Sequence, residues 1–236
     1  MDKILIIDDE KPTLHMFRLF LNAYGYQVLT AESGEEGIQV FQNENPPFVL
    51  TDVKMPGMDG IEVLKRIKEI EPMTEVIVIT GHGDMDLAIK ALSLDATDFI
   101  NKPIQRHALD QALKRAKGRL NLARSDKNEV EVKIRKDAVI IQILGNVNSG
   151  SEEALGKAWD EAANAEKQKI VILFSHNSAI NGAGIAILTQ LLLDSRKKGL
   201  NVVMAGLSEN FSKMFDIAGI TKLVKIHPAL EDALAD

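Results

Sequence analysis

Phe48-Val49-Leu50-Thr51-Asp52-Val53-Lys54-Met55-Pro56-Gly57-Met58-Asp59-Gly60 decides the reading of the first half of the chain. A short apolar run enters an acid, a Pro/Gly loop follows, and helical apolar spacing then covers residues 60–69. Such a run, bounded by breakers, reads as a strand buried on both faces. Working outward, the pattern recurs. The run at 4–7 ends in Asp8-Asp9-Glu10, the run at 76–79 ends in Thr80, and the run at 98–100 leads to Lys102-Pro103. With a further strand at 27–30 there are five strand candidates. Between and after them, helical patterns are expected at 12–23, 34–43, 60–69, 85–92 and 104–122. Pro12 suits a first helical turn, and Gly25 suits a C-terminal cap. The alternation predicts an α/β domain, a doubly wound five-stranded parallel sheet over residues 1–122.

In such a sheet the carboxyl ends of the strands converge on one edge, where ligands bind. Asp8, Asp9, Asp52, Thr80 and Lys102 all fall there. Clustered carboxylates attract a hard divalent cation, which can also hold phosphate oxygens. A carboxylate attacks a phosphoryl group poorly because both are negative, and a bound cation lowers that repulsion. The pattern therefore makes Asp52 the candidate phosphoacceptor. Asp9 directly, Asp8 through water, Asp52 itself and the backbone carbonyl of Lys54 are candidate ligands for Mg²⁺. Lys102 would offset charge on the transferred oxygens, Thr80 would donate a hydrogen bond, and Gly81 leaves room for the donor. Lys54 and His82 stand close enough to affect the lifetime of the product. Each residue also has a plainer reading: Asp8 and Asp9 as caps for the helix at Pro12, Asp59 as a cap for the helix after Gly60, Lys102 as a solvated lysine.

Composition bounds the alternatives. With 236 residues, 45% hydrophobic and 26% charged, the chain fits one large or two small globular domains. No apolar run approaches the roughly 18–20 residues of a membrane span, so no membrane contact is expected. Met1-Asp2-Lys3 leads straight into a strand without a secretory pattern. The absence of Cys excludes disulfides and thiolate chemistry and agrees with a reducing cytoplasm, the expected location. The net charge of −6, with no basic excess in either half, argues against nucleic-acid binding.

The first-half motifs together resemble the receiver domain of bacterial two-component response regulators, over about residues 1–122. Asp8-Asp9, Asp52 with Met55-Pro56 and Met58-Asp59-Gly60, Thr80 and Lys102-Pro103 stand in that family's order and spacing. The resemblance implies a flavodoxin-like fold and transfer of phosphate to Asp52 from a sensor histidine kinase or phosphotransfer protein. It also implies Mg²⁺ dependence and slow hydrolysis. In the implied switch, Thr80 is drawn to the phosphate and an aromatic at the Phe99 position turns inward; Phe99 reads equally as an ordinary core residue. Leu109, Leu113, Ala116, Leu120 and Ala123 form an apolar stripe on the last helix, read either as packing on the sheet or as a connector or dimer stem.

Residues 123–128 are uniformly polar from Arg124 on and mark a linker. From 129 to 236 the order changes. Strands at 130–135 and 139–144 flank a Lys136-Asp137 turn. A helix at 151–165 follows, capped by Ser149 or Ser151, then a strand at 170–174, a long loop and an apolar helix at 184–196. A strand at 202–205, a helix at 210–218, a strand at 222–226 and a helix opened by Pro228 complete a smaller mixed-sheet α/β domain. Gly182-Ala183-Gly184 at the apolar helix start permit tight packing or an anion at its N-terminus. With Gly145-Asn146-Val147-Asn148, residues 200–205 and Gly219-Ile220, this half resembles the STAS domain of anti-sigma factor antagonists. That family places Asp-Ser-Ser-Gly or Asp-Ser-Thr-Gly at this helix start, with the second hydroxyl phosphorylated. Here the run is Asn181-Gly182-Ala183-Gly184, so Ala183 cannot accept phosphate. The four residues remain candidates for partner binding. The expected function is a non-enzymatic response regulator whose receiver gates a STAS output through protein contacts, with an anti-sigma factor or similar protein as target and a homodimer as one assembly. A constitutive STAS scaffold and an Asp-nucleophile phosphohydrolase are the alternatives.

Overall fold

Each apolar run of the first half becomes a strand of one parallel sheet. The computed structural model describes residues 1–81, 84–123, 130–176 and 178–236. In chain order the first unit runs β1 (Lys3–Ile7), α1 (Lys11–Ala23), β2 (Gln27–Ala31), α2 (Gly34–Glu44), β3 (Phe48–Asp52), α3 (Gly60–Ile70), β4 (Glu75–Thr80), α4 (Met85–Ser93), β5 (Asp98–Asn101) and α5 (Arg106–Ala123). The strand order is β2-β1-β3-β4-β5, all parallel. This is the flavodoxin-like order, and it reverses between β1 and β3, where a ligand crevice belongs. β3 and β4 are buried at every residue, as continuous apolar runs with helices on both faces must be. Ile4, Ile6, Phe48, Leu50, Ile77 and Ile79 pack against Leu14, Phe17 and Leu21 of α1 and Leu109, Leu113, Ala116 and Leu120 of α5. The α5 stripe is therefore a packing face at those four positions.

At the opposite, amino-terminal edge of this sheet lies a buried ionic layer. Arg115 pairs with Asp98. Arg119 lies 3.0 Å from Glu75 and 3.4 Å from Asp95. Burial lowers Lys68 and raises Glu75 from their ordinary pKa values, and the mutual charges act against both shifts.

The second unit contains β6 (Val130–Ile134), β7 (Ala138–Ile143), β8 (Asn146–Val147), α6 (Glu152–Asn164), β9 (Lys169–Phe174), β10 (Ala179–Ile180), α7 (Gly182–Lys197), β11 (Val202–Ala205), α8 (Glu209–Ile217), β12 (Lys225–His227) and α9 (Leu230–Ala235). Its main sheet has the order β12-β11-β9-β7-β6. It is parallel except for the β6–β7 hairpin, so the sheet is mixed as expected. On one face Ile140, Val171, Val203 and Ala205 pack against Ala233 of α9. Trp159 of α6 donates to Ser195 of α7 at 2.8 Å.

Four local expectations change. Residues 220–222 form a 3₁₀ turn after Gly219, which has φ +76, and the last strand starts only at Lys225. The closing helix starts at Leu230, two residues beyond Pro228. The long loop after β9 holds the two-residue strand β10, paired with β8. Ser151 holds the N-cap position of α6, but its side chain makes no cap bond. Asn148 takes the capping role at a preceding 3₁₀ turn, accepting from the Gly150 amide at 2.8 Å.

Contacts divide the chain into Met1–Asn121 and Leu122–Asp236. The expected linker at 123–128 lies outside the described residues beyond Ala123, the last residue of α5.

Candidate functional site

β1 and β3 are neighbours, so their carboxyl ends deliver Asp8, Asp9 and Asp52 to one spot. One oxygen from each of the three carboxylates lies within 4.8 Å of the others. Asp8 is fully buried, Asp52 is 6% exposed, and Asp9 is exposed. Desolvation raises the pKa of both Asp8 and Asp52, although Lys102 and backbone amides pull the other way. Asp8 accepts from the Glu10 amide at 2.8 Å and Asp52 from the Val53 amide at 3.0 Å. The N-cap residue of α1 is Glu10, whose side chain makes no cap bond. Neither Asp8 nor Asp9 therefore serves as the cap their position allowed.

Lys102, placed by the end of β5, sits 3.1 Å from Asp52 and 3.5 Å from Asp8. Desolvation works against its charge, yet the hydrogen bond to Asp52 and the two carboxylates hold its pKa above the ordinary lysine value. The Lys102–Pro103 bond is cis. Thr80, fully buried at the end of β4, donates to Asn101 at 2.9 Å. Phe99 on β5 is 3% exposed and already faces inward. Among the described residues, three carboxylates gather with the one lysine that pairs with two of them.

The loop after Asp52 is held rigidly. Asp59 caps α3 by accepting from the Glu62 amide at 2.8 Å, as its plain reading required. A Cβ at Gly60 would lie 2.0 Å from the Asp52 carbonyl oxygen, so only glycine lets α3 start that close to the acid. Glu35 accepts from the Met58 amide at 3.0 Å. The Lys54 ammonium pairs with Asp84 at 2.7 Å. His82 lies outside the described residues. Sequence reasoning missed Asp84 and Asn101; an acid directly before a helix and an amide at a strand end were the available signals.

The residues fit a small divalent cation. Three hard oxygen donors converge within a span comparable to the ~4 Å across an octahedral Mg²⁺ shell, and Lys102 is the cation paired with two of them.

In the second unit, Asn181 caps α7, accepting from the Gly184 amide at 3.0 Å. A Cβ at Gly184 would lie 2.1 Å from the Val147 carbonyl oxygen, so the packing reading accounts for that glycine. Gly182 and Asn181 are partly buried and Ala183 is exposed. Ser175 and Ser178 spend their hydroxyls on the backbone carbonyls of Ile143 and Ser175, at 2.7 Å and 2.6 Å.

A five-stranded sheet in flavodoxin-like order, with an acid cluster and a lysine at the switch point, defines the class of receiver modules. Residues 4–114 match the family model of the response regulator receiver domain, and residues 129–233 match that of the STAS domain. Sporulation initiation phosphotransferase F of Bacillus subtilis is 36% identical over 114 residues, 48% of this chain and 92% of that protein. The transcriptional regulatory protein GlrR of Escherichia coli is 36% identical over 110 residues, 47% of this chain. That match spans only 25% of GlrR, so the chain corresponds to about a quarter of that relative's length. A crystal structure of a response regulator receiver domain protein from Clostridium thermocellum is 39% identical, with a TM-score of 0.51, covering 52% of this chain and 99% of that one. The chain belongs to the response regulator receiver family of two-component signalling, and a STAS domain forms its second unit. Both are regulatory families. Receiver domains generally bind Mg²⁺ at an acidic pocket and interact with histidine kinases or phosphotransfer proteins, and STAS domains point to protein partners. No helix among the described residues is long and apolar enough to cross a membrane.

Proposed function

We propose that Asp52 accepts a phosphoryl group from a sensor histidine kinase or phosphotransfer protein and thereby gates the STAS domain, which acts by binding another protein. The observation that carries this is Lys102 bridging Asp52 and Asp8 inside a three-carboxylate cluster. Asp8, Asp9, Asp52 and the Lys54 carbonyl would hold Mg²⁺, which when bound supplies charge neutralisation and alignment for attack. The chain's own residues do the rest. Asp52 presents Oδ2, paired with Lys102, while the Val53 amide fixes Oδ1. Lys102 offsets charge on the incoming oxygens. Thr80 exchanges its Asn101 partner for a phosphoryl oxygen, and the buried ring of Phe99 stays on the core side to occupy the space beside it. A phosphoryl group adds about two negative charges, enough to bias a two-state surface.

The output target is an anti-sigma factor or a similar regulatory protein, met through the surface around Asn181, Gly182, Ala183 and Gly184. DNA contact is not expected of an acidic chain with net charge −6. The site of action is the cytoplasm, the domain limits 1–122 and 129–236, and the role regulatory, not enzymatic. The test is acetyl phosphate with Mg²⁺, read by intact mass, followed by capture of a candidate target with each form. One phosphoryl group gained by the native chain and none by Asp52→Asn supports the reading. Equal target capture by both forms overturns the gating.

A further inference from the structure

We propose that the free edge of β6 pairs with β6 of a second copy of this chain, joining two STAS sheets into one ten-stranded sheet across a two-fold axis. The inference goes beyond the phosphoryl reading and does not depend on it. β6 is the last strand of its sheet, with β7 on its inner side and no strand on its outer side among the described residues. An open edge presents unpaired amides and carbonyls and is a template for another strand.

The pairing geometry identifies which groups are open. Antiparallel partners alternate between residues that exchange both backbone hydrogen bonds and residues that exchange none. The Arg135 amide bonds the Ala138 carbonyl at 2.8 Å, which makes 135–138 a bonded pair. Counting back in the observed register, Lys133 and Glu131 also turn their backbone groups toward β7. Val130, Val132 and Ile134 therefore turn theirs outward.

The sequence of the strand then selects the partner. Val130-Glu131-Val132-Lys133-Ile134 is complementary to itself when run antiparallel about Val132. Val132 meets Val132 of the copy as a bonded pair, and Val130 meets Ile134 at both ends. Glu131 meets Lys133 as a non-bonded pair, where side chains approach most closely. Opposite charges thus face each other twice, and no like charges do. Ile134, 58% exposed in the single chain, gains an apolar neighbour in Val130 of the copy. That neighbour borders an open trough of about 610 Å³ between β6 and α6, lined by Val130, Val132, Ala154 and Ala158 together with Glu153 and Lys157.

The chain has no cysteine, which gives a clean test on the full-length protein. Val132→Cys places two thiols opposite each other on the two-fold axis, within the ~4.4–6.8 Å Cα separation a disulfide spans. Mild oxidation is expected to link Val132→Cys into dimers. Ile134→Cys alone should stay largely unlinked, whereas a mixture of Val130→Cys with Ile134→Cys should link. Charge reversal is the second arm, read by sedimentation at matched concentrations. Glu131→Lys or Lys133→Glu alone is expected to weaken dimerisation roughly tenfold, and the double exchange should restore it. Failure of Val132→Cys to link, linking of Ile134→Cys in equal yield, or a double exchange no better than either single change would each overturn the proposal. In those cases the edge belongs to another occupant, such as a foreign strand.

Discussion

The helix α3 of the receiver and the helix α7 of the STAS domain begin in the same way and do different chemistry. Each starts with a polar cap, Asp59 or Asn181, whose side-chain oxygen accepts an amide of the first turn. Each has a glycine pressed on a backbone carbonyl, Gly60 on Asp52 and Gly184 on Val147. Beside the first, Asp8, Asp9 and Lys102 converge on Asp52. Around the second stand Asn181, Ala183 and serines whose hydroxyls are committed to the backbone. A close helix start is a packing solution; a reactive centre needs charged side chains brought in from other strands.

The comparison can be broken most sharply at Asp52. Asp52→Asn is expected to abolish phosphoryl incorporation from acetyl phosphate, while Asn181→Ala leaves it at the native level, both read by intact mass. The paired glycines come next. Gly60→Ala and Gly184→Ala should each destabilise their own unit by about 3 kcal/mol, because backbone oxygen cannot yield as a side chain does. Urea unfolding separates them, since Trp159 is the single tryptophan and reports on the second unit. Loss of Trp159 cooperativity with Gly60→Ala instead would show that the units do not unfold separately.

Mg²⁺ should raise the stability of the native chain by about 2.7 kcal/mol at a hundredfold excess over Kd, and leave an Asp8→Asn variant nearly unchanged. The pH dependence has a definite sign. The folded pKa values of Asp8 and Asp52 lie above their unfolded values. Their ionisation therefore costs stability at neutral pH, and this cost is relieved as pH falls through the folded values toward ~4. Mg²⁺ needs the ionised forms, so its stabilising effect should shrink over the same interval. A Tm shift by Mg²⁺ that is constant down to pH 4 would remove the cluster as its site. Smallest are the caps. Asp59→Ala and Asn181→Ala should each cost about 1 kcal/mol, and Ala183→Ser, at an exposed position, less than about 0.5 kcal/mol.

The strands were legible wherever burial on both faces wrote a continuous apolar run, as in Phe48–Asp52 and Glu75–Thr80. The acid cluster was legible because parallel connectivity sends every strand end to one edge. Less legible were features set by backbone detail. β10 is only two residues, too short for any periodicity, and exists through its pairing with β8. The strand expected from 222 starts only at Lys225, because a 3₁₀ turn at 220–222 follows Gly219 and its positive φ. Ser151 stands at the N-cap of α6 but makes no cap bond there, because its hydroxyl donates to the Asn146 carbonyl at 2.9 Å and accepts from the Asn148 amide at 3.1 Å. The ionic layer of Arg115, Arg119, Asp98 and Glu75 gave no sequence signal, since charged residues at strand starts and along a helix ordinarily read as solvated.

The methyl group of Ala183, exposed on the first turn of α7, leaves that position without a hydroxyl. With no hydroxyl there, the STAS half has no memory of its own at that point. On the proposed reading, what it reports is dictated by the occupant of its surface or by the receiver. On the same reading, a serine placed at that position would add a second input wherever a serine kinase acts on it.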